Sequence, residues 1–154
     1  MASISLPAKF IPSMCNVELA VNQRVHSDPF GGSEDVVDFL NDRLILSCEL
    51  PESARHSEGA WREAFIGKFR GQVNTVPLYH FTRQVPRGTL RGTLVLNGAV
   101  SQGAGSLILS GGSPANGTLL MGDMLGVGGF LLMVADDCVA SGGGITVPIT
   151  NRVR

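Results

Sequence analysis

Charge is what this sequence has least of. Only 16% of its 154 residues are Asp, Glu, Lys or Arg, against about a quarter in an average soluble domain. So thin a cover of ions implies that part of the surface is buried against other chains. Lysine is almost missing: Lys9 and Lys68 are the only two, and no phosphate-binding loop of the Walker type can be assembled from them. Long apolar runs are lacking too. The most apolar stretch, Leu119 to Val134, is interrupted by Asp123 and four glycines and falls short of the ~20 residues that a spanning helix needs. The N-terminus lacks a basic segment followed by an apolar one, so no signal peptide is expected. Cysteines are few. Cys15, Cys48 and Cys138 are widely separated, form no C-x-x-C pair and have no histidine at ligand spacing; reduced, partly buried thiols are expected, as in a protein assembled in a cytoplasm.

What charge there is lies unevenly. Residues 1–63 hold ten acids and five bases, whereas residues 64–122 hold Lys68, Arg70, Arg83, Arg87 and Arg91 and no acid. The net charge of −1 conceals this division. An acidic first part and a basic middle suit head-to-tail contact between identical subunits. Ten of the twelve bases are arginine, the cation that interfaces favour because its planar fork grips carboxylates. Ordinary solvated charge explains the same division without any partner.

Glycine, by contrast, is plentiful: 20 residues, most of them after residue 87. Set among Val, Leu and Ile, they predict short strands joined by tight turns rather than disorder. Residues 14–21 alternate with Cys15, Val17, Leu19 and Val21 on one face, a half-buried strand. Residues 22–33, with Asp28-Pro29 and Gly31-Gly32-Ser33, read as a loop. Residues 36–40 and 43–50 read as a hairpin about Asn41-Asp42. One amphipathic helix is expected at about residues 53–70, with Trp61, Phe65 and Phe69 as the wedge that docks it and Gly71 at its C′ position. Ala54, Ala64 and Lys68 lie on the same stripe. Strands are then expected at 73–82, 92–97, 106–110, 118–121, 124–127, 130–135 and 145–150. The fold class is therefore mainly β: a sandwich or barrel of short strands with one helix. Residues 1–154 form one structural domain, divisible into a strand–hairpin–helix part (1–71) and a Gly-rich β part (72–154).

Chemistry-bearing motifs are scarce. The glycine clusters near 98–105 and 126–129 lack dinucleotide-binding spacing and its strand-then-helix context. His26, His56 and His80 stand apart, and Asp136-Asp137-Cys138 reads as a turn rather than a metal site, because neighbouring strand residues point to opposite faces. No G-x-S-x-G elbow occurs. No catalytic, metal-binding or cofactor-binding residue is singled out, and no enzymatic activity is expected. Arg83, Arg87 and Arg91, after Tyr79 and Phe81, allow two readings. One is a subunit interface; the other is a single-strand nucleic-acid surface, where aromatics stack bases and arginines hold phosphates.

The order of these pieces resembles small tail-associated structural proteins of tailed bacteriophages. The pieces are Ser27-Asp28-Pro29-Phe30-Gly31-Gly32-Ser33, the strand ending Leu50-Pro51, and the helix with Trp61, Ala64, Phe65 and Phe69 closing on Gly71. Pro86-Arg87-Gly88, Asn97-Gly98-Ala99 and Leu120-Met121-Gly122-Asp123 follow, then Leu131-Leu132-Met133-Val134, Gly144 with Ile145 to Ile149, and Arg152-Val153-Arg154. The likeness spans roughly residues 27–154. It implies a virion protein of the distal-tail or baseplate-hub type, assembled in the host cytoplasm as a ring. Such a homo-oligomer joins the tail tube to other tail or receptor-binding proteins and leaves a channel for DNA. No catalytic residues come with that family; the residues themselves lead to the expectation of no cofactor, no membrane insertion and no specific nucleic-acid binding. A head–tail completion or tail-terminator ring is the alternative within that class, and a small nucleic-acid-binding β-barrel the alternative outside it.

Overall fold

A computed structural model describes residues 2–28, 30–32, 34–39, 42–52, 59–71 and 73–153. The chain is mainly β, with short strands and a single helix, and among the described residues the strands close no barrel. In chain order the elements are β1 (Met14–Ala20), β2 (Gln23–Ser27), β3 (Glu34–Asp38), β4 (Arg43–Glu49), α1 (Gly59–Lys68), β5 (Arg91–Leu96), β6 (Ser106–Ser113), β7 (Thr118–Leu119), β8 (Met124–Val127), β9 (Phe130–Met133), β10 (Cys138–Val139) and β11 (Gly144–Pro148). They form five small sheets: β1 with β4, β2 with β3, β7 with β10, β8 with β9, and the order β11-β6-β5.

The chain makes two compact units, neither continuous in sequence. One comprises residues 1–16 and 46–84; the other comprises residues 17–45 and 85–154. These do not coincide with the parts 1–71 and 72–154 expected from composition.

In the first unit α1 is held by aromatic contacts. Phe65 is buried, while Trp61 and Phe69 are half-buried and Ala64 and Lys68 are exposed. The ring of Phe65 lies 5.8 Å from that of Phe10 and 5.1 Å from that of Phe69, and Phe10 lies 5.6 Å from Phe81. The docking wedge thus centres on Phe65 and recruits Phe10 and Phe81, while the Trp61 ring instead faces the Arg62 guanidinium at 5.8 Å. The helix ends where Arg70 and Gly71 both turn left-handed. The Asn74 amide donates to the last-turn carbonyl of Lys68 at 2.7 Å, satisfying an acceptor the helix cannot. The expected helix start at residues 53–58 lies outside the described residues. Residues 73–82 form no strand; Thr75 alone bridges Ser3, and Pro77 has no N–H with which to continue a ladder.

The second unit holds the main core: Leu90, Leu107, Leu109, Leu119, Leu132, Val134, Ala140, Ile145, Val147 and Ile149. Period-two alternation places them. Leu107 and Leu109 on β6 pair with Val147 and Ile145 on β11, all facing inward, while Ile108 and Thr146 face out. Each fully buried side chain of this kind contributes about 1.5–3 kcal/mol of transfer free energy. Gly128-Gly129, both at positive φ, make the two-residue turn from β8 to β9. The buried Asn151 continues the β9 ladder with its side chain: its Nδ2 donates to Leu131 O at 2.9 Å, and its Oδ1 accepts from Met133 N at 3.0 Å.

The N-terminal strands pair differently from expectation. Residues 23–27, expected in a loop, form β2 and pair with β3, Val25 opposite Val36. The strand at 43–49 pairs with β1 rather than with the strand before it. The expected hairpin about Asn41-Asp42 is therefore corrected to two nested pairs with their tip near Phe30; Asn41 itself lies outside the described residues.

Candidate interaction surface

The best-organised polar constellation in the second unit is built around Asp123. Its side chain is buried, yet its carboxylate accepts three backbone N–H groups: Arg87 at 2.8 Å, Gly88 at 3.0 Å and Leu120 at 2.9 Å. Burial raises its pKa, but these three donors and the Arg87 charge outweigh burial and hold the carboxyl below its ordinary value. The Arg87 guanidinium donates to Met121 O at 2.7 Å, so both ends of Arg87 grip the 120–123 turn. Gly88 is required by close approach, since a Cβ there would lie 2.1 Å from the Thr118 carbonyl oxygen. Arg91 folds back onto its own segment and donates to the carbonyls of Pro86, Gly88 and Leu90.

The three arginines expected at an interface are thus divided. Arg87 and Arg91 lie in the second unit, and both direct their guanidinium groups to backbone carbonyls. Arg83 lies in the first unit, exposed, and its backbone N–H donates to His80 Nδ1 at 3.2 Å. His80 is buried, and burial, then Arg83, push its imidazole below the usual histidine value, so it stays neutral and able to accept that bond.

Beside the clamp, a groove of about 710 Å³ runs between β5 and β8. Its walls are mostly apolar, including Leu90, Leu94, Leu119, Leu125 and Val127. Each flanking strand is bonded on one side only: β5 to β6, and β8 to β9. Their other edges carry backbone donors and acceptors that no named strand meets.

The second unit also carries the β2–β3 hairpin, in which all ten strand residues are exposed. Val25 and Val36, opposite each other, are each 56% exposed, and Phe30 at the tip is 97% exposed. Glu34, Asp35 and Asp38 lie on β3; Asp38 pairs with Arg152 of the same chain at 2.9 Å. A two-stranded hairpin without a third partner is marginal in water.

Sequence reasoning missed one further pairing. Cys15 and Cys48, on the half-buried faces of β1 and β4, meet with sulfurs 3.5 Å apart. Burial and the neighbouring Cys15 push the Cys48 thiol up to about 11. Among the described residues no group of three or more His, Cys, Asp or Glu is arranged to hold a metal ion, and no helix is long and apolar enough to cross a membrane. No protein-family model matches the chain, and comparison with curated proteins finds no match.

Proposed function

We propose that this chain is a structural protein of a bacteriophage tail, a subunit that closes with its own copies into a ring of the distal-tail or baseplate type. The ring joins the tail tube to other tail or receptor-binding proteins and leaves a central channel for DNA. On this reading the chain works by assembly, is not an enzyme, and resides in the virion. The observation that carries the reading is the β2–β3 hairpin, exposed on both faces with valines and Phe30 in water. A partner that covers it removes apolar surface at about 25 cal/mol per Å² and supplies the packing that an isolated hairpin lacks. The low charge content supports the same reading. The tail itself rests on the order of sequence pieces that resembles tail-associated proteins. A head–tail completion or tail-terminator ring makes the same demands on the surface and differs in position along the particle.

A second reading, a nucleic-acid-binding β protein, is favoured by exposed Tyr79, whose ring lies 4.7 Å from that of Phe81 at a 43° tilt, Phe81 standing two residues before Arg83 in sequence. Against it, Arg87 and Arg91 spend their donors on carbonyls and offer phosphates less. Analytical ultracentrifugation and oligonucleotide titration of the full chain separate the two. The ring reading expects a closed oligomer, alone or with tail-tube protein, and weak oligonucleotide affinity. A compact monomer with tight, salt-sensitive single-strand affinity favours the other.

A further inference from the structure

We propose that the β2–β3 hairpin of one copy docks along the β5–β8 groove of a second copy, with β3 adding to the open edge of β5. The inference rests on the assembly reading above and specifies which surfaces meet. The groove is mostly apolar, bounded by two strands that, among the described residues, pair with a named strand on one side only. An extended segment laid between them gains main-chain hydrogen bonds on a ready-made template, the mode of recognition known as β-augmentation. Lengths agree: the five residues of β3 reach about 17 Å and the six of β5 about 20 Å, at 3.3–3.4 Å per residue.

The occupant is identified by its chemistry. On one face of the hairpin Val25 and Val36 sit side by side, the only apolar cross-strand pair in that ladder, and they match the leucine and valine walls of the groove. The charges are complementary. Asp28, Glu34 and Asp35 outnumber Arg24 on or next to the hairpin strands, while the groove is lined by Arg91 and by no acid, the charge of nearby Arg87 being met by the buried Asp123. The hairpin root is fixed within its own chain by Asp38–Arg152 and by Asn22 N donating to Asp42 Oδ1 at 3.4 Å, so the projecting strands are presented rather than free to wander. Donor and acceptor are different patches of one surface. The contact is therefore heterologous, and a repeated heterologous contact closes into a ring or runs on as a filament.

The test uses full-length chains mixed in pairs, one carrying a tag that separates it by size. Val36→Cys is mixed with Val95→Cys, a groove residue, or with Ile66→Cys, which is exposed on α1 and is not part of the groove. Oxidation is expected to link the first pair between copies and to leave the second at background. In parallel, Val36→Arg, checked for wild-type circular dichroism and thermal midpoint, is expected to weaken association by at least roughly tenfold, as a charge buried in an apolar contact does. Wild-type chain that assembles while Val36→Arg assembles equally well, or a Val36→Cys chain that links at Ile66 as readily as at Val95, overturns the docking and leaves the ring standing. Wild-type chain that remains monomeric at every concentration overturns both.

Discussion

Removing the Asp123 carboxylate is expected to be among the most damaging single changes in the second unit. Asp123→Ala removes the acceptor of three backbone N–H groups, that of Gly88 in a buried bond and those of Arg87 and Leu120 in part-buried ones. A buried donor left without its partner costs about 1–3 kcal/mol. A water entering the vacated space recovers part of three such losses, so the net cost is about 3–5 kcal/mol, a large share of the 5–15 kcal/mol of a typical domain. Asp123→Asn keeps one oxygen but turns an amide N–H₂ toward an N–H, and is expected to cost about 2 kcal/mol. Urea unfolding at neutral pH reads both. Acidification adds a signature. The folded-state pKa of Asp123 is depressed, so its stabilisation is complete above the unfolded value of about 3.9 and is lost as pH falls through the folded value. Wild type should therefore lose its margin over Asp123→Asn below about pH 4. Equal unfolding midpoints for wild type and Asp123→Ala at neutral pH, or a margin over Asp123→Asn that persists unchanged in acid, would refute the clamp.

Three further outcomes follow from packing. Phe65→Ala, which empties the centre of the ring cluster, should cost about 3–5 kcal/mol, clearly more than Trp61→Ala, whose ring is half-buried; thermal melts that rank them the other way would contradict the wedge. Gly88→Ala places a methyl against backbone at Thr118 and should lower the unfolding midpoint, with amide exchange quickening first at residues 87–90 and 118–120; a midpoint within error of wild type would mean that the turn shifts freely. Oxidised glutathione should convert Cys15 and Cys48 to an internal disulfide, two thiols giving up two protons and two electrons as the glutathione disulfide is reduced. The reaction should quicken at alkaline pH, because Cys48 must first ionise from a thiol raised to about 11. Intact mass should fall by two hydrogens while Cys138 still alkylates after denaturation, and a Cys15→Ser variant that lost the same two hydrogens would sink the assignment.

The strands after residue 90 were legible because alternation and turn glycines act locally: β5, β6, β8, β9 and β11 fall within the expected ranges or a few residues of them. Local signals fail where the answer lies in pairing. Asn41-Asp42 has the chemistry of a tight turn, yet β4 bonds to β1, because a long nested ribbon makes its reversal near Phe30 instead. The same error hid the Cys15–Cys48 contact, which becomes visible once β1 and β4 are neighbours. Residues 73–82 carry Val73, Val76, Leu78, Tyr79 and Phe81 but include Pro77, and the prolyl nitrogen defeats the ladder. The helix wedge was legible at Phe65 and incomplete elsewhere, since Phe10 and Phe81 come from distant sequence. Asp123 gives no signal as a hub, because its partners are backbone N–H groups, which any residue carries, and two of the three, Arg87 and Gly88, lie far earlier in the chain. The arginines stand out by the acid-free stretch around them, but that pattern does not show that the exposed Arg87 and Arg91 fold onto backbone carbonyls.

The central claim is assembly through an exposed hairpin, and electron microscopy of the purified full-length chain, at concentrations bracketing the ultracentrifuge transition, tests it most directly. Closed rings of a single symmetry, absent from a Val25→Arg, Val36→Arg double variant that keeps the wild-type circular dichroism, are the expected result. A wild-type chain that stays a dispersed monomer, alone and with tail-tube protein, would contradict the account.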